Sequence, residues 1–315
     1  MKKYQCLIAG ILVIMAPFLL GCSFNAPGES SKASEAYFCP EDDCFGIIAS
    51  YIRNASKADC ALYTLNSAGI ENALKETESR IVSDGKCING IECKPKPPYN
   101  RGLMHNKFCI LDDSIVITGS FNPNEKSGGY LNNVVVLHSK VLAEAYSKEF
   151  EELFSGKFGA GKKGSASAVL NGSRAEAYFC PEDNCQTHLL EEIGTAEKSV
   201  YFMVYSFTDN EIANELLGKT KEGVVVKGFF DKSQNTKWSV YPKLENKAGV
   251  WVYGNGVMHN KVFIIDNETV ITGSYNPTQN GNENNDENMV VMHDRAIAEK
   301  FAEYFSGLRN AYKQP

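Results

Sequence analysis

Met104-His105-Asn106-Lys107-Phe108-Cys109-Ile110-Leu111-Asp112 returns, little altered, as Met258-His259-Asn260-Lys261-Val262-Phe263-Ile264-Ile265-Asp266. Each copy is followed at the same distance by a second cluster, Ile117-Thr118-Gly119-Ser120-Phe121-Asn122-Pro123 and Ile271-Thr272-Gly273-Ser274-Tyr275-Asn276-Pro277. The apolar run after each lysine reads as a buried strand. Ile115-Val116-Ile117 and Val270-Ile271 read as second strands, and the polar residues between, Asp112-Asp113-Ser114 and Asp266-Asn267-Glu268-Thr269, as hairpin turns. Side chains two apart on a strand share a face, so His105 points with Lys107 and His259 with Lys261. Gly119 and Gly273 read as places where a ligand approaches the backbone.

Each half thus offers an imidazole, an ammonium, a hydroxyl and an amide. Doubled, the set suits displacement at phosphorus. One neutral histidine attacks while the other protonates the leaving oxygen. The lysines and amides stabilise charge growing on the phosphoryl oxygens. The scheme needs neither metal nor cofactor.

His-x-Lys-x4-Asp followed by Gly-Ser-x-Asn resembles the phospholipase D superfamily, and both copies match in full. Tyr205-Ser206-Phe207-Thr208-Asp209 is also similar to that family, and the likeness covers nearly all of the chain after its leader. The resemblance implies a covalent phosphohistidine on His105 or His259, the other acting as general acid. It implies phosphate binding by Lys107, Lys261, Ser120, Asn122, Ser274 and Asn276. Asp112 and Asp266 complete the motif, but an odd spacing puts them off the histidine face. They read mainly as turn-forming and supporting groups.

In the family, an acidic residue just before the last strand orients a catalytic histidine. Glu287 fits in the second half, whereas aligning Asn133–His138 with Asn288–His293 puts Asn132 in that place in the first. A carboxylate favours a protonated imidazole and a neutral amide does not. If each histidine pairs within its own half, His259 is the better acid and His105 the better nucleophile. The competing reading is that Asn132 marks a weakened half-site. His138 and His293 read as structural or surface residues, and His188 has no evident partner.

Working outward, Ala36-Tyr37-Phe38-Cys39-Pro40-Glu41-Asp42-Asp43-Cys44 and Ala177-Tyr178-Phe179-Cys180-Pro181-Glu182-Asp183-Asn184-Cys185 form a second, independent repeat. Two lobes follow, at residues 36–154 and 176–310, each roughly 140 residues or fewer and long enough for its own core. Residues 155–175, rich in Gly, Ser, Ala and Lys, read as a linker. The first half is shorter and is expected to lack a strand pair, with a helix over Ile70–Arg80 and a Pro-rich loop at Lys94–Tyr99. The loop around Trp238 and Tyr241 in the second half reads either as a substrate entrance or as ordinary packing. The expected fold is α/β: two mixed sheets flanked by helices, related by a pseudo-two-fold axis, with one active site between them. A single chain then completes the site and no obligate oligomer is implied.

At the amino end, Lys2 and Lys3 precede an apolar run too short for the ~20 residues of a spanning helix. Leu19-Leu20-Gly21-Cys22 resembles a lipobox, so Cys22 is the expected lipidation site and residues 23–35 a tether. The alternative is an uncleaved anchor; either way the body is exported and held at a membrane of the cell envelope. The formal net charge is −6, and removing residues 1–21, which hold Lys2, Lys3 and no acid, leaves −8. Such a body does not advertise non-specific nucleic-acid binding. Of ten cysteines, eight remain beyond Cys6 and Cys22. Cys39 with Cys44, Cys180 with Cys185 and Cys87 with Cys93 are candidate bridges; Cys60 and Cys109 read as buried thiols. No histidine spacing supports a zinc site.

The expectation is a phosphodiester hydrolase similar to the compact endonuclease-like branch of the superfamily, fused in tandem. Membrane tethering and acidic charge favour a phospholipid headgroup substrate, and compactness favours DNA or RNA. A non-catalytic scaffold is the third reading, opposed by two intact motifs.

Overall fold

The computed structural model describes residues 30–98 and 102–313. The leader, Cys22 and most of the tether lie outside the described residues. The first lobe runs β1 (Glu35–Cys39), α1 (Cys44–Arg53), β2 (Lys57–Leu62), α2 (Ala68–Glu76), β3 (Glu78–Ser83), β4 (Glu92–Pro95), β5 (Lys107–Leu111), β6 (Ile115–Gly119), β7 (Asn132–His138) and α3 (Lys140–Phe154). The second runs β8 (Ala166–Leu170), β9 (Ser173–Cys180), α4 (Cys185–Gly194), β10 (Ser199–Val204), α5 (Asn210–Lys221), β11 (Val225–Asp231), α6 (Tyr241–Leu244), β12 (Gly249–Tyr253), β13 (Lys261–Ile265), β14 (Thr269–Gly273), α7 (Gln279–Glu283), β15 (Glu287–His293) and α8 (Arg295–Lys313).

The strand orders are β1-β7-β6-β5-β2-β3-β4 and β12-β11-β10-β13-β14-β15-β9-β8. Read from opposite ends, these are one plan used twice. The outer strands β2-β3-β4 and β10-β11-β12 are parallel, because helices return the chain, whereas the motif hairpins β5-β6 and β13-β14 are antiparallel. The mixed α/β expectation holds.

The layers follow from which faces are apolar. Helices α1 and α2 cover the outer face of the first sheet, and α4 and α5 that of the second, each over its own buried cluster. A third cluster draws on both lobes and lies between the sheets around α3 and α8. There Tyr146 of α3 meets Phe179 of β9 at 4.9 Å, and Phe301 and Tyr304 of α8 meet Phe38 of β1 at 4.9 and 4.4 Å. Each lobe therefore lays its last helix against the other lobe's sheet. Burying a Phe contributes roughly 1.5–3 kcal/mol, so separated lobes would expose the surface that holds them together.

Four details depart from the sequence reading. The first half does have its strand pair: α2 ends at Glu76, Glu78–Ser83 is β3, and β4 occupies the start of the Pro-rich loop. The linker holds β8, which pairs with β9; alternation of small residues, with Ala168 and Leu170 inward, is a faint strand signal. Cys60 and Cys109 are a disulfide, because β2 and β5 place them directly opposite one another; the three local bridges also form. Finally, Gly119 and Gly273, at φ +140° and +139°, yield to protein. A Cβ at either would lie 2.3 Å from the carbonyl of Asn133 or Asn288 on the next strand.

Candidate active site

Both motif histidines enter by a bridge to the opposite lobe. The His105 N–H donates to Asp286 O and the His259 N–H to Leu131 O, each 2.9 Å. These acceptors stand one residue before Glu287 and Asn132, at matching places in the two halves. Behind them, Thr272 Oγ1 donates to Asn133 Oδ1 and Asn288 Nδ2 to Thr118 Oγ1, a second pair of cross-lobe bonds. The pseudo-two-fold axis thus passes between the motifs and brings the two imidazoles into one buried centre.

The partners are exchanged. His105 Nδ1 lies 2.7 Å from Glu287 Oε2, and His259 Nδ1 lies 2.8 Å from Asn132 Oδ1. The expectation that each histidine pairs within its own half is corrected, because the first residues of β7 and β15 reach over the axis. Glu287 is fully buried and also accepts from Ser274 Oγ and Asn285 Nδ2. Burial pushes its carboxyl up, but His105, Lys107 and the Ser274 bond outweigh that and hold it below the ordinary value. Asn132 donates through Nδ2 to Tyr130 O and accepts from Ser120 Oγ. That fixes its carbonyl toward His259, which therefore donates from Nδ1.

Burial lowers both imidazoles. His105 falls to about 4, because Glu287 only partly offsets desolvation and the nearby lysines. His259, with no carboxylate beside it, is held well below its usual value by burial, Lys261 and Lys107. The ammonium groups are also depressed by burial, Lys107 to about 7 and Lys261 well below its normal range. Four nitrogen bases crowded away from water form a site short of negative charge. A phosphodiester anion supplies it, restoring the charged forms as it binds.

Each lysine is held from two sides. Lys107 Nζ donates to His105 O at 2.6 Å and lies 5.2 Å from the Tyr63 ring; Lys261 Nζ donates to His259 O at 2.7 Å and lies 5.0 Å from Tyr205. Those rings also pack on His105 and His259 at 4.9 and 4.7 Å. The symmetry breaks at one contact: Lys261 Nζ is also 3.2 Å from His259 Nε2.

Other expected residues take different places. Ser120 and Ser274 are fully buried, and their hydroxyls bond Asn132 and Glu287, so they hold the histidines' partners and do not face phosphate. Asn122 is buried with Oδ1 unsatisfied, whereas Asn276 Oδ1 accepts from the Ser206 N–H. Asp112 and Asp266 sit at the hairpin turns with φ of +48° and +54°. Asp112 accepts from the N–H groups of Ser56 and Lys57, and Asp266 from those of Glu197, Lys198 and Ser199. They brace the motif strands far from the imidazoles. His138 and His293 bond Glu35 and Glu176 at the opposite strand ends.

Sequence reasoning missed Tyr63, Asp84 and the role of Asp231. Asp84 and Asp231 accept from the N–H groups of Met104 and Met258, both 2.8 Å, and so anchor the approach to each histidine. Aligning Leu62-Tyr63-Thr64-Leu65 with Val204-Tyr205-Ser206-Phe207 would have exposed Tyr63, and the Asp after each parallel strand would have exposed the other two.

A family model described as "Cardiolipin synthase, PLD-like domain" matches residues 48–154 and 189–309. A Rickettsia typhi protein named phospholipase D is 34% identical over 200 residues, 62% of this chain and 91% of the relative. A Chlamydomonas reinhardtii protein named mitochondrial cardiolipin hydrolase is 27% identical over 146 residues, 42% of this chain and 65% of the relative. Among solved structures, the phosphatidylserine synthase of Haemophilus influenzae superposes with a TM-score of 0.68 at 11% identity, covering 91% of this chain and 87% of that one, a likeness of fold.

Proposed function

The chain belongs to the phospholipase D superfamily and is a phosphodiester hydrolase, and we propose that it cleaves phospholipid headgroups through a covalent phosphohistidine, without metal. The observation that carries this reading is the paired, buried His–Lys centre completed across the lobes. It gathers two imidazoles and two ammonium groups around one point and leaves them undercharged until an anion enters. The names of the relatives, phospholipase D and cardiolipin hydrolase, support a lipid over a nucleic acid.

His105 is the nucleophile in this reading. Glu287 takes its Nδ1–H, which leaves Nε2 a lone pair for phosphorus, and compensates the positive ring of the adduct throughout its lifetime. The Nε2 of His259 already faces Lys261, so its lone pair is engaged. Lys261 is the proton source that recharges His259 as general acid. Carboxylate charge alone would reverse the roles; the lysine contact decides between them.

Cys22 lipidation and an extracytoplasmic position at the envelope membrane belong to the same proposal. The leader-free protein, assayed in EDTA on phosphatidylcholine vesicles and on supercoiled plasmid, tests it, with His105→Asn as control. Release of headgroup with intact plasmid is the expected outcome. Plasmid nicking lost in the variant would make the enzyme a nuclease, and activity only on adding metal would remove the mechanism. Failure on every diester would leave a scaffold.

A further inference from the structure

Beside the His259 half-site lies a cleft of about 1070 Å³ that the chemistry above does not use. It matches the upper end of the roughly 300–1,000 Å³ typical of small-ligand sites. Its inner edge is tied to the catalytic centre. Ser206, in its lining, follows Tyr205, whose ring packs on His259, and donates its N–H to Asn276 Oδ1 at 3.3 Å. Thr278, also in the lining, donates its N–H to Asn276 O at 2.8 Å. The cleft therefore opens on the side where the proposed general acid releases the leaving alcohol.

The chemistry of its walls is narrow. Asn184, Gln186, Asn280, Ser206 and Thr208 contribute amides and hydroxyls, and Trp238 lies at the rim with 70% of its surface exposed. No lysine or arginine lines it, and Glu211 and Glu283 do, so a polyanionic strand is repelled. Asp209 is consumed internally. It accepts from Gln186 Nε2, Asn282 Nδ2 and the N–H groups of Glu211 and Ile212. Lys237 Nζ already stands 4.8 Å from the Trp238 ring, so an ammonium headgroup there would meet a like charge. The first lobe has no equivalent. At the position matching Gln186 it carries Phe45, which packs on Phe121 at 4.9 Å and fills the space.

We propose that this cleft is a headgroup subsite for a cyclic polyol, an inositol- or hexose-type leaving alcohol, an inference that rests on the phospholipid reading above. The ring's C–H face lies on the free side of the Trp238 indole. Its hydroxyls, each both donor and acceptor, are read by the amides and by Ser206 and Thr208. In the first step the His105 Nε2–P bond forms, the P–O bond to the headgroup breaks, and the His259 proton goes to the departing oxygen. Water then attacks phosphorus, the P–N bond breaks, and the water proton returns to His259.

The test uses the leader-free chain on vesicles carrying phosphatidylinositol, phosphatidylglycerol or phosphatidylserine at equal mole fraction, all anionic. Bis(p-nitrophenyl) phosphate is the headgroup-free control. Phosphatidylinositol should be preferred by about tenfold in kcat/KM, and Trp238→Ala and Asn280→Leu should each erase that preference while leaving the control rate unchanged. Equal rates on the three lipids, a preference for serine or glycerol, or a preference untouched by both variants overturns the subsite alone. No hydrolysis of the control diester overturns the diesterase reading and the subsite with it.

Discussion

The two half-sites are built on one plan and differ at the residue behind the imidazole. His105 leans on a buried carboxylate, Glu287, whereas His259 leans on a buried amide, Asn132. Ser274 and Ser120 support those partners in the same way. The rest of the difference follows from charge. Glu287 lifts His105 against desolvation, and nothing does so for His259, which meets Lys261 instead. A site that must both attack and protonate has been made unequal by one substitution in an otherwise repeated frame.

The sharpest way to break this comparison is to remove each histidine in turn. His105→Ala should abolish both the p-nitrophenol burst and turnover, a loss of about 10⁴-fold or more. His259→Ala should retain the burst, since p-nitrophenolate leaves unprotonated, while losing about 10²–10⁴-fold on alkyl headgroups. Mass spectrometry of the trapped adduct should find phosphate on His105; finding it on His259 reverses the roles.

Next in size is an exchange of the supports. Glu287→Gln should cost about 10²–10³-fold, breaking a buried pair worth roughly 3–5 kcal/mol. Because Glu287 is what raises His105, its loss should also move the acid limb of kcat/KM to lower pH. Asn132→Asp should instead raise the pKa of His259, shift the optimum upward and keep activity within about tenfold. A harmless Glu287→Gln beside a dead Asn132→Asp would invert the reading of the two halves.

A third comparison concerns stability. Cys60 and Cys109 join β2 to β5, and at the same register in the second lobe Phe202 faces Phe263 at 5.8 Å. Replacing both cysteines by Ala should cost about 2–4 kcal/mol, and Phe202→Ala about 3–5, in denaturant unfolding. A much smaller cysteine effect would show that the hairpin holds its register without the bond.

The smallest effect is expected at Asp266. Burial pushes its carboxyl up, but the N–H groups of Glu197, Ser199 and Lys198 outweigh this and hold it below its ordinary value. Its contribution is therefore present above the unfolded-state pKa and lost as pH falls through the folded one. Asp266→Ala should lower stability by about 1 kcal/mol at pH 7, less at pH 3, with activity nearly kept. A collapse of kcat in a folded variant would put Asp266 in the chemistry.

What was legible in the sequence was what is local. Runs such as Phe108–Leu111 carry their own strand signal, and the doubled His-x-Lys fixed both the number of lobes and the chemical class. The exchange of Glu287 and Asn132 was illegible, because it is set by how two sheets meet across an axis and by no spacing within either half. Cys60 and Cys109 were misread for a related reason: 49 residues separate them, and only the register of β2 on β5 brings them together. Short β4 and small-residue β8 escaped because their strand signal is weak and their neighbours supply the pairing.

The exchanged supports also bear on how such a molecule can change over generations. In a symmetric dimer of identical halves, any substitution appears in both copies, so the two histidines would always share the same kind of partner. Tandem duplication lifts that rule. Asn132 could arise while Glu287 stayed, and one inherited change could separate attacker from proton donor. The cost is redundancy: with each histidine propped from the far half, a lesion in either copy reaches both, and this gene carries no spare.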